Sequence, residues 1–231
     1  MEKNPGPSGP PAAALPAPRT WDARLARWLV TPFKSTWLTP NHLTTVRLLV
    51  GIAGALAFAE GGYRWANIGA WLVVLSNFID HTDGELARIS GKSSRIGHFY
   101  DLASDAFVTI ALFAGIGVGV GAVGGGGDLL APPWLLGSGA GAAVASIFFL
   151  RMRIEERVGK AGTRQASLGG FETEDVLYLL PLVTIFDATR GFLLAAAVGA
   201  PLFAVLVAAD YRRVMRRARK ASQAAGWRAA R

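Results

Sequence analysis

Apolar residues in this chain are gathered into blocks of near-membrane length, and that grouping limits the fold more than any other feature. A helix needs roughly 20 mostly apolar residues to cross about 30 Å of hydrocarbon. The blocks are Leu43–Ala59, Ala66–Ile79, Phe107–Val123, Trp134–Leu150, Val176–Phe186 and Phe192–Ala209. Several are short, and polar helical turns complete the second and third. The fifth is bounded by Glu172, Glu174 and Asp175 before it and Asp187 after it. The expected fold is an all-α integral membrane protein, a bundle of six transmembrane helices. With 52% hydrophobic and 17% charged residues, composition agrees with the blocks.

Positive charge gives the expected orientation. Arg24, Arg27, Lys34, Arg88, Lys92, Arg95, Arg151, Arg153, Arg157, Lys160 and Arg164 fall on one side of such a bundle, with the basic run after Asp210. Arg64 and Arg190 fall on the other. Cytoplasmic flanks carry the excess of Lys and Arg, so both termini are expected inside. The net charge of +8 then reads as attraction to anionic lipid rather than to nucleic acid. With no cysteine, a disulfide or thiolate metal site is excluded.

Four regions are expected. Residues 1–19, rich in Pro, Ala and Gly, read as a disordered tail. In 20–38, Trp21, Leu25, Trp28 and Leu29 recur at helical spacing with Arg24 and Arg27 between them, and Thr20 can cap the start. This is the pattern of a juxtamembrane amphipathic helix lying in the bilayer interface. The transmembrane domain occupies 39–220, and 221–231 is a basic tail.

The chemistry lies between the second and third blocks. Asp80 and Asp83 share one face of a helix, as do Asp101 and Asp105. The stretch 89–100 lets the two helices run antiparallel, so that all four carboxylates converge at the cytoplasmic edge. Such a cluster is costly beside a membrane without a cation. Oxygen-only ligands favour Mg²⁺ or Mn²⁺ over zinc, and two ions would clamp a phosphate. Gly84, Ala87 and Gly97 leave room for helix approach or a ligand, and Arg88 suits a diphosphate. Glu85 is expected to face elsewhere, and His81 and His98 to stand behind the aspartates or in solvent. Arg151 and Arg153 are candidates for binding a phosphorylated acceptor.

The eight residues Asp80, Asp83, Gly84, Ala87, Arg88, Gly97, Asp101 and Asp105 resemble, without a gap, the CDP-alcohol phosphatidyltransferase pattern D-x2-D-G-x2-A-R-x8-G-x3-D-x3-D. Thr39-Pro40-Asn41-His42-Leu43-Thr44 looks like that family's opening segment. Arg151-Met152-Arg153-Ile154-Glu155 is similar to a run in its phosphatidylinositol-phosphate-synthase branch, with Arg where the branch more often has Lys.

The resemblance implies that a phospho-alcohol group passes from a CDP-alcohol lipid donor to a small alcohol acceptor, with release of CMP. Asp80, Asp83, Asp101 and Asp105 would hold two metal ions, and Asp105 would also be the general base. Asn41, Thr44, Gly84, Ala87, Arg88 and Ser94 would contact the CDP part of the donor. It further implies a homodimer in the cell inner membrane with a cytoplasmic active site. Two rival classes share some features. Intramembrane prenyltransferases carry two distant Asp-rich motifs rather than one compact one. A cation transporter would place acids near the bilayer midplane.

Overall fold

A computed structural model describes residues 21–92, 94–127, 129–158 and 177–229, with side chains to residue 218. The expected tail 1–19, the Thr20 cap, Lys160, Arg164 and the acids Glu172, Glu174 and Asp175 lie outside the described residues. So do the side chains of the basic tail.

The described regular structure is all helical: α1 (Trp21–Val30), α2 (Pro40–Glu60), α3 (Gly62–Ser90), α4 (Arg95–Ala122), α5 (Pro133–Val158), α6 (Leu180–Ile185) and α7 (Thr189–Ala229). A 3₁₀ turn, Thr31–Phe33, follows α1, and another occupies 177–179. Among the described residues, four helices are long and apolar enough to cross a membrane: α2, α4, α5 and α7 over Thr189–Ala218. Helix α3 is 29 residues long because the apolar block 66–79 continues through the polar turn that bears Asp80 and Asp83. Helix α4 likewise begins at Arg95, well before its apolar block. Helix α6 has six residues, about 9 Å at 1.5 Å per residue.

Local signals set the helix ends that matter for the site. Pro40 occupies the first turn of α2, where its missing N–H costs nothing, and Thr39 N donates to His42 Nδ1 at 3.2 Å. Helix α3 ends on Gly91 in the left-handed region (φ 67°), whose N–H caps Ala87 O. Ser94 then starts α4 by accepting the Gly97 N–H at 2.9 Å. The turn between the two halves of the aspartate motif is therefore short and capped on both sides.

Helix α2 is the centre of the packing. It lies against α3 on one side and α4 on the other, while α3 and α4 touch little. Helices α3 and α4 therefore pack mainly on α2 and meet each other over only a short stretch. Small residues allow the close approach. A Cβ on Gly119 would stand 1.9 Å from Phe58 O, and one on Gly115 2.2 Å from Ala55 O. Helix α5 packs on α4 in the same way, and α7 packs on α5. Phe58, Ala70, Val73, Leu112, Ile116, Leu180 and Leu193 form the buried core of this assembly.

Gly119→Ala is expected to destabilise the protein by about 1–3 kcal/mol through overpacking against backbone that cannot yield. Gly139→Ala, where a Cβ meets nothing within 4 Å, is the control. Thermal unfolding in detergent separates them, and equal unfolding temperatures would contradict the close-packing account.

Candidate active site

The aspartates gather where α3 ends and α4 begins. One oxygen from each of Asp80, Asp101 and Asp105 lies within 4.8 Å of the others. Asp83 is not in that trio. It is buried, and Thr44 donates to its Oδ2 at 2.8 Å. Thr44, expected to contact the donor, is thus engaged with an aspartate of the motif.

At the centre stands a residue that sequence reasoning passed over. Arg47 of α2 is 3% exposed and directs its guanidinium among the three carboxylates. Its Nη1 donates to both Asp80 Oδ1 and Asp105 Oδ1. Its Nη2 reaches the Asp101 carbonyl at 3.4 Å and lies 3.8 Å from Asp101 Oδ1. The signal was available: Arg47 is the one charged residue in the block Leu43–Ala59, and an ionisable group inside a membrane-capable helix is a functional candidate by default.

The donor set fits a hard divalent cation. It consists of carboxylate oxygens, and Asp101 Oδ1 is buried without a hydrogen-bond donor, an acceptor open to a cation. One arginine leaves the trio with a net negative charge.

The remaining expected residues fall into two places. Gly84, Ala87 and Arg88 lie on the last turns of α3. A Cβ on Gly84 would meet only Arg88 Nη2, at 3.8 Å, so open space lies above the glycine. Asn41, Gly97 and Ser94 converge instead: a Cβ on Gly97 would stand 2.7 Å from Asn41 Oδ1 and 3.0 Å from Ser94 Oγ. Gly97 therefore lets α4 approach the start of α2.

Arg151 lies over the Phe203 ring, 5.4 Å from its centroid, and Arg153 is exposed and paired with Glu156 at 2.9 Å. Both sit near the C-terminal end of α5.

Glu85 faces away from the aspartates, as expected, but into the contact with α1 rather than into solvent. It is 1% exposed and takes Arg27 Nε on Oε2 at 2.6 Å and Arg88 Nη1 on Oε1. His81 contacts Asp22 Oδ2 through Nε2 at 3.0 Å, and His98 is exposed.

The profile of the family described as CDP-alcohol phosphatidyltransferase matches residues 37–210, which takes in the aspartates, Arg47, Gly84 and Arg88 but not Asp22 and Arg27. The chain belongs to the CDP-alcohol phosphatidyltransferase family. Among curated CDP-alcohol phosphatidyltransferase relatives, a phosphatidylinositol phosphate synthase of Cutibacterium acnes is 35% identical over 79 residues, 34% of this chain and 37% of that protein. A bifunctional IPC transferase and DIPP synthase of Rubrobacter xylanophilus is 31% identical over 161 residues, 69% of this chain and 34% of that protein. The chain thus spans about a third of the length of these relatives. The crystal structure of Mycobacterium tuberculosis phosphatidylinositol phosphate synthase with CDP-DAG bound superposes with a TM-score of 0.52 at 23% identity, covering 86% of this chain and 93% of that one. That likeness speaks to the fold.

Proposed function

We propose that this protein transfers a phosphatidyl group from CDP-diacylglycerol to the hydroxyl of a small phosphorylated alcohol, releasing CMP, as a step of phospholipid biosynthesis. The observation that carries this reading is the meeting of Asp80, Asp101 and Asp105 beside the open surface of Gly84 and Arg88, on the family's own spacing. The donor assignment is supported by the CDP-DAG held by the structural relative. The acceptor assignment is supported by the names of the Cutibacterium and Streptomyces avermitilis relatives, both phosphatidylinositol phosphate synthases.

In this mechanism Asp80, Asp101 and Asp105, with Asp83 beside them on α3, would hold two Mg²⁺ or Mn²⁺ ions. When bound, these ions supply charge stabilisation to the phosphate oxygens. The protein's own groups do the rest. Gly84, Ala87 and Arg88, with Asn41, Thr44 and Ser94, orient the CDP portion. The acceptor oxygen forms a bond to the phosphorus that carries the diacylglycerol, the bond from that phosphorus to the CMP oxygen breaks, and Asp105 takes the hydroxyl proton. Arg151 and Arg153 receive the acceptor's phosphate.

The same reading places six spans in the membrane: α2, α3, α4, α5, the segment containing α6, and α7. Both termini and the site are cytoplasmic, and the enzyme works as a homodimer. Helix α1 rests in the bilayer interface. Its Asp22, Ala23, Ala26 and Val30 are turned to the bundle, whereas Trp21, Leu25, Trp28 and Leu29 are exposed. An outward apolar face with tryptophans suits the headgroup boundary.

The test is CMP release by purified protein with Mg²⁺. CDP-diacylglycerol and a soluble CDP-alcohol serve as donors, against a panel that includes inositol phosphate and glycerol phosphate. Lipid product with one phosphorylated acceptor is expected, and EDTA is expected to abolish it. No CMP from any donor, together with metal flux in vesicles, would favour a transporter instead.

A further inference from the structure

Helix α1 is fixed to α3 at two polar points that flank the aspartate motif. Asp22, fully buried, contacts His81 Nε2 and accepts from Tyr178 Oη at 3.3 Å. One turn further along, Arg27 donates to the buried Glu85. His81 and Glu85 stand one helical turn apart on α3, and each is next to a residue of the motif.

Glu85 is the informative member. A buried carboxylate must be paired, because leaving it uncompensated is strongly unfavourable. Here two guanidiniums share it, one on each oxygen. Arg88 is 57% exposed at its side chain and needs only Nη1 to reach Glu85. Its Nη2 is left on the side of Gly84, beside the open space above that glycine. Without Arg27, Arg88 would become the main counter-ion of a buried carboxylate and would be drawn towards it. The cation available to a ligand would then retreat.

We propose that α1 is part of the donor site: Arg27, acting through Glu85, is a positioning residue that holds Arg88 towards the diphosphate of the donor. This rests on the reading of the donor as a CDP-alcohol. Seating of α1 then bears directly on donor affinity, although neither Arg27 nor Glu85 touches the reacting atoms.

The test compares wild type with Arg27→Met, Arg27→Lys and Glu85→Gln in CDP binding by calorimetry and in donor KM and kcat. Arg27→Met is expected to weaken CDP binding and raise donor KM about tenfold, the loss of one charge-assisted hydrogen bond, with kcat within about twofold, whereas Glu85→Gln, which removes the anion that would draw Arg88 away, is expected to keep CDP binding near the wild-type value. Arg27→Lys, which keeps the cation, is expected to recover most of that loss. Mn²⁺ affinity is expected to stay at the wild-type value in all three. Unchanged CDP binding in Arg27→Met, or a fall in unfolding temperature with KM unmoved, would reduce the contact to a structural latch and overturn the proposal. If the wild type neither binds CDP nor releases CMP, the donor reading itself fails, and this inference fails with it.

Discussion

Asp105→Asn is expected to keep donor binding close to wild type while CMP release falls on the order of 10²- to 10⁴-fold, the usual contribution of a general base. The amide is nearly the same size as the carboxylate. Its oxygen can still accept from Arg47 Nη1, as Asp105 Oδ1 does. It cannot take up the acceptor's proton. Asp80, Asp83 and Asp101 remain to hold cations. The comparison that isolates the base is Asp80→Asn, which removes the same charge from the same Arg47 nitrogen. A residue that acts chiefly as a ligand should be rescued in part by raised Mg²⁺ or Mn²⁺, whereas Asp105→Asn should not. Near-normal turnover of Asp105→Asn in single-turnover assays would remove Asp105 from that role.

How far the sequence alone reached can be judged from particular residues. The longer helices were legible because their apolar blocks act locally, whereas the ends set by Pro40, Gly91 and Ser94, equally local, were not read from the sequence. The meeting of Asp80, Asp101 and Asp105 was legible from spacing, since helical turns put such pairs on one face. What escaped is non-local. That α2 separates α3 from α4 depends on glycines whose neighbours, such as Phe58 O against Gly119, are far away in sequence. Asp83 stands outside the trio and is held by a hydroxyl 39 positions earlier. Glu85 was expected to face elsewhere, but nothing near it in sequence foretells Arg27, 58 positions away, as its partner. Periodicity can assign a face to a helix, but it does not say which partner helix will supply the opposite charge.

Arg47 gives the sharpest test of how this cluster is held together. Its guanidinium is buried, and one nitrogen serves carboxylates from two helices, α3 and α4, that otherwise touch little. It therefore acts as a cross-link and as a counter-charge at once. Arg47→Gln would leave three carboxylates within 4.8 Å with no cation supplied by α2. Breaking a buried ion pair on one side costs about 3–5 kcal/mol. The aspartates here are partly exposed, so the lower end, about 3 kcal/mol, is the expected loss in EDTA. Divalent cations should then stabilise the variant more than the wild type, because they meet the same carboxylates with less positive charge already present. Arg47→Lys keeps the charge but replaces the planar fork with a single ammonium, and its stability should fall between the two. Unfolding temperatures measured in detergent across a Mg²⁺ titration would decide the matter. Equal stability of Arg47→Gln and wild type in EDTA would mean that the aspartates are neutralised by something other than this arginine.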